Sequence, residues 1–425
     1  MNDLFAPITR TERQKMCEKA WIAAKGIGTV VGTTGFGKTR IGTDILQAFI
    51  KKKSDLTAIV VVPTQNLQDQ WIGILENLGI NKNVCVLVIN TAAKQNINCD
   101  LLIIDEIHRS AAETLIDVFN SIKYKYILGL TATFERLDER HELIKKYCPI
   151  VDTVTDIEAL ANGWVSLYKE YQILIDVDDI QTLKDLNTEF NSHFEFFNWD
   201  FNLAMSMCGP KGYLKQIEYR NTLCPNGTSQ EKSSILTSIK MHSAQLMRIM
   251  QARKKFINNH PKKIEIARKI IQARPDAKII TFSNNVAMAE QIGMGGKVFS
   301  GKDTKKKSRV TVEEFKNGDF KILHTIQKAN EGMDIPGLSV AIMLGIDSAK
   351  IKAQQRKGRV IRKEDGKQAE IFNIIINNSA ETKWFENSHS GSEYTTIDEE
   401  GLNDVLCGKE PKPYKKKIKD FTFRF

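Results

Sequence analysis

Gly32 to Thr39 reads GTTGFGKT, and the interpretation of the whole chain begins from this stretch. The apolar run from Gly28 to Gly32 predicts a short buried strand, and apolar residues at helical spacing follow from Arg40 to Ile50. Strand, glycine-rich loop, Lys-Thr and helix is the context that a phosphate-binding loop requires. Glycine tolerates positive φ and lets backbone N–H groups approach phosphate oxygens, while the helix N-terminus favours negative charge. We therefore predict a nucleoside triphosphate site rather than a simple glycine turn.

Two side chains of this loop have predicted chemical roles. The Lys38 ammonium would reach the β- and γ-phosphates, and the Thr39 hydroxyl would coordinate Mg²⁺. The predicted cofactors are therefore ATP and Mg²⁺. The loop residues assigned to nucleotide binding are Gly35, Gly37, Lys38, Thr39 and Arg40.

Composition limits the classes of protein to which the chain can belong. A length of 425 residues, with 42% hydrophobic and 26% charged residues, predicts about two or three globular domains. The formal net charge of +10 favours a polyanionic partner, either nucleic acid or a membrane surface, although a lysine-rich protein of any kind would have the same charge. No apolar run approaches the roughly 20 residues that span a bilayer, and the first residues lack the pattern of a secretory signal. We therefore expect no membrane partner. The seven cysteines are scattered without a C-x-x-C pair, which indicates neither a zinc site nor a disulfide framework and fits a reducing, intracellular, cytoplasmic location.

The first half of the chain alternates apolar strands with helical stretches. This alternation predicts an α/β fold with a doubly wound parallel sheet. Polar loops follow the strands at their carboxyl ends, where such sheets bind ligands. Beyond the strand before the phosphate loop, the predicted strands are Thr57–Pro63, Val84–Ile89, Asp100–Asp105 and Tyr126–Leu130.

Two adjacent carboxylates follow one of these strands. Asp105 is placed to hold Mg²⁺, and Glu106 is placed to orient and deprotonate the attacking water. The alternative is that the pair only caps the following helix. His108 either couples this loop to neighbouring elements or is a satisfied structural residue.

The order of these motifs resembles that of a known family. GTTGFGKT, VPTQNLQDQW, DEIH and LGLTATFER look like motifs I, Ia, II and III of the superfamily 2 helicases and translocases. With Arg136 and Asp138 following, the chain looks most like the branch that includes XPB-type and phage UvsW-type branch-migration helicases. The small size fits a phage or mobile-element version, for which the location would be the bacterial host cytoplasm.

The resemblance implies further roles in the first half. Gln14 would belong to a Q-type motif that reads adenine, and Thr64, Gln65 and Thr91 would touch a nucleic-acid backbone. Asn90-Thr91 departs from the usual Thr-Tyr-Gln pattern at this position. Thr131 and Thr133 would link hydrolysis to strand movement.

The second half contains two stretches that look like motifs V and VI of the family. In TIQKANEGMDIP, Thr325 and Asn330 would approach the nucleic-acid backbone or the γ-phosphate, and Gly332 and Asp334 would approach the nucleotide. Ser283 and Asn284, which follow a predicted strand, are also assigned to nucleic-acid contact.

The motif VI-like stretch, QQRKGRVIR, supplies the predicted arginines. Arg359 and Arg362 lie three residues apart and would share one helical face, with Gln355 in the same catalytic set. A guanidinium suits the spread charge of a transferring γ-phosphoryl group. The alternative is a basic helix with a solvated face.

These predictions combine into two RecA-like lobes with ATP in the cleft between them, plus a largely helical insertion. The aromatic residues of the insertion either stack on bases or form a small hydrophobic core, and we favour the core. The basic tail either steers nucleic acid, docks a partner or is simply solvated. The predicted domains are lobe 1 (1–165), connector and insertion (166–260), lobe 2 (261–390) and basic C-terminal tail (391–425).

The predicted function is an ATP-dependent DNA helicase or translocase that acts on single-stranded, forked or branched DNA in replication, recombination, repair or branch migration. An RNA helicase shares the same motifs, so RNA is the second possible partner. A motor subunit of a restriction or defence complex is another alternative. A non-enzymatic module that holds ATP only structurally is disfavoured, because mere binding needs neither a general base nor the arginines.

Overall fold

The computed structural model describes residues 8–109, 112–132, 141–209, 212–301, 303–326, 335–346, 357, 368–390, 392–412 and 414. The chain divides into two compact units. The first comprises 1–172, 274–373 and 383–395, and the second comprises 173–273, 374–382 and 396–425. Among the described residues, no helix combines the length and apolarity that a bilayer-spanning segment needs.

The first sheet contains the phosphate-binding loop. Its strands are β1 (Ile27–Gly32), β2 (Ala58–Val62), β3 (Val84–Val88), β4 (Ile97–Asp105), β5 (Ile122–Thr131) and β6 (Ile150–Val154). Their order is β3-β2-β4-β5-β1-β6, and every neighbouring pair is parallel. All of β2 is buried, as expected for a strand covered by helices on both faces. Strand β6, which was not among the predicted strands, pairs with β1 at the edge of the sheet.

Helices connect the strands of this sheet, and two 3₁₀ turns lie at Asn81–Asn83 and Ile107–Arg109. The Asn90-Thr91 pair lies in a one-turn helix rather than an open turn. The helices are α1 (Arg10–Ala23), α2 (Lys38–Lys52), α3 (Gln65–Asn77), α4 (Ile89–Ala92), α5 (Ala112–Ser121), α6 (His141–Tyr147) and α7 (Asp156–Ala161).

The insertion is helical, as predicted, and consists of α8 (Ile180–Glu195), α9 (Phe201–Ser206), α10 (Tyr213–Leu223) and α11 (Ser229–Asn259). The last of these helices begins at Ser229. Thr228 and Glu231 form a reciprocal capping box there, which satisfies the first free N–H groups of the helix.

The aromatic residues of the insertion divide into two groups. Phe190, Phe194 and Phe197 are buried in one hydrophobic core with residues of α11 such as Leu246. Trp199 and Phe201 are 48% and 52% exposed, and both rings meet Phe194 edge to face. The core interpretation therefore holds for the first group and not for the second.

The second sheet contains β7 (Leu167–Ile175), β8 (Lys278–Ser283), β9 (Lys297–Phe299), β10 (Ile322–Ile326), β11 (Leu338–Met343), β12 (Gln368–Ile376) and β13 (Thr395–Ile397). Their order is β13-β7-β12-β11-β8-β10-β9, and the pairs from β12 to β9 are parallel. The remaining helices are α12 (Pro261–Gln272), α13 (Val286–Ile292), α14 (Lys305–Asn317), α15 (Ala380–Ser388) and α16 (Glu399–Leu406). The prediction of two doubly wound α/β sheets is confirmed.

Two short elements lie within the segment that was predicted as a basic C-terminal tail. β13 belongs to the second sheet, and α16 is capped by Asp398, whose side chain accepts from Gly401 N–H. The buried side chains of Leu402 and Val405 anchor this helix. The bounds of the four predicted domains stay a prediction.

Candidate nucleotide site and nucleic-acid contacts

Three predicted motifs meet at one edge of the first sheet. The phosphate-binding loop follows β1, Asp105-Glu106 follows β4, and Thr131 ends β5. Strand β5 pairs with both β1 and β4. Because the strands are parallel, their carboxyl ends lie side by side, where doubly wound sheets bind ligands.

The loop has the backbone that its glycines predict. Gly35 and Gly37 have φ of 89° and 91°, and Lys38 is the first residue of α2. Lys38 is buried, and its Nζ donates to the carbonyl of Gly32 at 2.7 Å. Burial lowers the pKa of Lys38, and the charges of Glu106 and Asp105 oppose that shift. The ammonium is thus held among the backbone of the loop and the two carboxylates.

Gln14 lies against this loop rather than in solvent. Its Nε2 donates to the carbonyl of Phe36 at 2.8 Å, and a Cβ at Gly37 would come within 2.6 Å of the same nitrogen. The side chain therefore braces the loop, and its contact with adenine stays a prediction. Arg40 is exposed, and its Nε lies 3.4 Å from the Asp44 carboxylate.

The Asp105 carboxylate is buried and held at both oxygens. Trp71 Nε1 donates to its Oδ2 at 2.9 Å, and the Glu106 N–H donates to its Oδ1 at 3.0 Å. Burial raises the pKa of Asp105, and the hydrogen bond from Trp71 acts against that shift. No signal in the sequence indicated this role of Trp71, because Trp71 and Asp105 are 34 positions apart and only the fold brings them together.

Glu106 and His108 begin a chain of polar contacts toward β5. Glu106 has a φ of 51°, a left-handed conformation that costs energy for a non-glycine residue and often occurs at functional sites. His108 is buried, and its Nδ1 lies 3.4 Å from Glu106 Oε2 and within hydrogen-bond distance of the Thr131 hydroxyl. The geometry connects the acidic motif with the end of β5.

The side chains at this edge fit Mg²⁺. The predicted ligands are the hydroxyl of Thr39, in the first turn of α2, and the buried carboxylate of Asp105. Both are oxygen donors, which Mg²⁺ prefers, and it binds proteins through one or two carboxylates together with substrate phosphates.

The predicted nucleic-acid contacts of the first half follow β2 and β3. Thr64 is the N-cap of α3, and Gln65 beside it is exposed. Thr91 is exposed in α4, directly after β3. Strands β2 and β3 are parallel neighbours, so these residues share one edge of the sheet. Their contacts with nucleic acid stay predictions.

The predicted contacts of the second half are less exposed. The Thr325 hydroxyl is fully buried and donates to the carbonyl of Thr281 at 2.8 Å, while Ser283 is buried beside it on β8. Asn284 is half-buried, and a Cβ at Gly345 would lie 2.4 Å from its amide. The side chains of Thr325 and Ser283 thus bond within the lobe, and their predicted roles stay untested.

Seven predicted site residues lie outside the described residues, and their roles rest on the sequence alone. These residues are Thr133, Asn330, Gly332, Asp334, Gln355, Arg359 and Arg362. Arg136, Asp138 and the tail after residue 414 also lie outside the described residues.

Lys357, within the motif VI-like stretch, is described and buried. Its Nζ lies 3.3 Å from Glu170 Oε2 and 4.2 Å from the centre of the Tyr168 ring. The second oxygen of Glu170 lies 3.1 Å from His389 Nε2. Sequence reasoning missed this cluster, because its members are far apart in the chain and only the tertiary fold joins them.

A glycine-rich phosphate loop and an acidic pair on one parallel sheet define a P-loop ATPase, here with a second α/β sheet. Two family descriptions match this chain: "Type III restriction enzyme, res subunit" over residues 8–99 and 81–136, and "Helicase conserved C-terminal domain" over residues 262–364. The chain belongs to the superfamily 2 helicases, ATP-hydrolysing motors that depend on nucleic acid.

The DNA 3'-5' translocase XPB2 of Sulfurisphaera tokodaii is 26% identical over 381 residues, covering 85% of this chain and 80% of that protein. The DNA 3'-5' helicase XPB of Mycobacterium tuberculosis is 23% identical, covering 43% of this chain and 34% of that protein. The solved helicase domain of Pyrococcus furiosus Hef has a TM-score of 0.55 at 16% identity, covering 89% of this chain and 97% of that one, which shows a shared fold.

Proposed function

We propose that this chain couples ATP hydrolysis to 3'-5' movement along DNA, and that its preferred substrates are forked or branched DNA. The observation that carries the proposal is the meeting of Lys38, Asp105-Glu106 and Thr131 at one edge of the sheet. The similarity to the XPB-like translocase over 85% of this chain supports DNA as the track. The preference for forks and junctions rests on the resemblance to branch-migration helicases.

The assigned roles follow the geometry of the site. Lys38 and the loop N–H groups would bind the phosphates, and Thr39 with Asp105 would hold Mg²⁺, whose charge offsets that of the phosphates. Glu106 would accept the proton of the attacking water. The contact between His108 and Thr131 would relay the state of this site to β5. Gln355, Arg359 and Arg362 would complete the γ-phosphate environment.

The test is the steady-state rate of ATP hydrolysis at one stated salt concentration. The rate is measured with no nucleic acid, single-stranded DNA, forked DNA, a four-way junction and structured RNA. We expect the largest stimulation with forks or junctions and no turnover with Lys38→Ala. If only RNA stimulates ATP hydrolysis, the proposal that the protein moves along DNA is contradicted. If all the DNA substrates give equal rates, only the proposed preference for branched DNA is contradicted.

A motor subunit of a restriction complex is a second candidate, favoured by the match of residues 8–136 to the restriction-subunit family. Such a subunit would translocate on unbranched duplex DNA. Displacement of a triplex-forming strand from linear duplex by the protein, without stimulation by forks, would support this candidate over the first.

A further inference from the structure

Trp71 connects the predicted metal ligand with the helix of motif Ia. The indole is 1% exposed, and its only N–H group donates to Asp105 Oδ2 at 2.9 Å. The other carboxylate oxygen accepts from the Glu106 N–H. The orientation of this carboxylate is therefore set by a side chain from α3 as well as by its own loop.

The same indole packs against the helix that begins with Lys38 and Thr39. A Cβ at Gly42 of α2 would lie only 2.9 Å from Trp71 Cη2, so the absence of a side chain at Gly42 leaves room for the ring. Trp71 thus touches both elements that carry the predicted Mg²⁺ ligands. Two turns earlier, Thr64 caps the same α3 helix at its N-terminus.

We propose that Trp71 is a positioning residue for the divalent cation. Its N–H holds the Asp105 carboxylate in the orientation that binds Mg²⁺, and its ring fixes the spacing between α3 and α2. The inference rests on the proposed function, since it takes Asp105 as a metal ligand. Because Thr64 and Trp71 belong to one rigid helix, the metal site and the predicted nucleic-acid contact are joined by α3.

The test compares two conservative variants of equally buried tryptophans. Trp71→Phe removes the N–H and keeps an aromatic ring. Trp21→Phe is the matched control. Trp21 is fully buried in the same hydrophobic core as Trp71, and its Nε1 donates at 2.8 Å to the carbonyl of Ile127. The measurement is the binding of N-methylanthraniloyl-ADP by fluorescence across a series of Mg²⁺ concentrations and in EDTA.

We expect Trp71→Phe to raise the Mg²⁺ concentration for half-maximal nucleotide binding about ten-fold, as loss of a partner of a metal ligand does elsewhere. Trp21→Phe should match the wild type, and binding in EDTA should be equal in all three proteins. On an Asp105→Ala background, Trp71→Phe should have no further effect, because the indole acts through that carboxylate.

If Trp71→Phe and Trp21→Phe need the same Mg²⁺ concentration for half-maximal nucleotide binding, the inference is overturned. The proposed function is then unaffected. If nucleotide binding by the wild type does not depend on Mg²⁺, the inference is overturned, while the rate of ATP hydrolysis with DNA still decides the proposed function. If Trp71→Phe does not fold, Gly42→Ala takes its place in the experiment. The new Cβ at residue 42 must displace the Trp71 indole, but the indole retains its N–H group. An unchanged Mg²⁺ requirement in Gly42→Ala then overturns the inference.

Discussion

At the scale of single residues, the two neighbouring carboxylates after β4 have different surroundings. Asp105 is buried, with both oxygens hydrogen-bonded. Glu106 is more exposed and is turned by its positive φ toward His108. An immobile carboxylate suits a metal ligand, and a more accessible one suits proton transfer. This difference supports the separate roles that we assign to them.

Replacing the assigned base tests that division. Glu106→Gln keeps the size of the side chain and removes its basicity, so ATP turnover should fall roughly 10²–10⁴-fold while nucleotide binding persists. Turnover and fluorescent-nucleotide affinity are measured side by side. Glu76→Gln, at an exposed position of α3, is the control and should behave as wild type. Robust turnover by Glu106→Gln would exclude Glu106 as the base.

The brace under the phosphate loop gives a second prediction. Gln14→Ala removes the hydrogen bond to the Phe36 carbonyl, a loss of about 0.5–1.5 kcal/mol, so the loop should bind nucleotide several-fold more weakly. Gln216→Ala is the matched control, because Gln216 is also buried and donates to the carbonyl of Met207 at 2.8 Å. Both variants should have a lower melting temperature than the wild type. Equal nucleotide affinity in the two variants would show that Gln14 has no role in binding.

At the scale of secondary-structure elements, the second sheet contains a buried cluster of charged residues that the sequence did not predict. Glu170 lies on β7, Asn373 on β12, His389 follows α15, and Lys357 comes from the motif VI-like stretch. Lys357 is two residues from Arg359. The cluster therefore holds Lys357 to the sheet through a charge pair with Glu170.

The stability of this cluster should depend on pH. Burial acts to raise the pKa of Glu170, but the hydrogen bond with His389 and the charge of Lys357 outweigh it, so the pKa lies below its ordinary value of 4.5. The ionised carboxylate therefore stabilises the fold above pH 4.5, and this stabilisation is lost as the pH falls through the folded-state pKa.

Glu170→Gln leaves Lys357 buried without its counter-charge, so it should cost roughly 3–5 kcal/mol at pH 7. The difference in melting temperature between wild type and variant should shrink as the pH falls below 4.5. Differential scanning fluorimetry from pH 7 downward measures both. Glu189→Gln, which breaks an ion pair with Arg248 between half-exposed side chains, is the control and should cost about 1 kcal/mol or less. A pH-independent difference for Glu170→Gln would contradict the assigned ionisation.

At the scale of the whole molecule, charge and family membership point to the same partner. A net charge of +10 attracts a polyanion at long range, and the superfamily 2 helicases depend on nucleic acid. Charge contributes affinity and not sequence preference, because phosphate contacts carry no base information.

Binding of forked DNA should therefore weaken steeply with salt. If six to ten phosphates are neutralised, the affinity should fall about 10³–10⁵-fold between 50 and 200 mM salt. Fluorescence anisotropy of a labelled fork measures the slope, and Lys38→Ala serves as the control because its DNA affinity without nucleotide should have the same slope. A flat salt dependence would contradict phosphate contacts as the main source of affinity.

Local patterns were sufficient for much of the fold. The apolar runs predicted β2 and β3 to within one residue at each end, and the glycine pattern predicted the phosphate loop. Strands β6, β11 and β13 were missed. β13 has only three residues, and β6 is mostly exposed or half-buried, so their local signal is weak. β11 is a six-residue, mostly buried apolar run that its local pattern could have revealed.

The sequence by itself determined the order of the motifs and the family, and it predicts which residues bind phosphate and metal. These depend on residue type and local backbone, which short stretches specify. Only the tertiary structure decided that Trp71 holds Asp105, that Gln14 braces the loop, and that Glu170 pairs with Lys357. Those contacts join residues that are between 22 and 187 positions apart in the sequence. Residues so far apart come into contact only when the sheets and helices pack together.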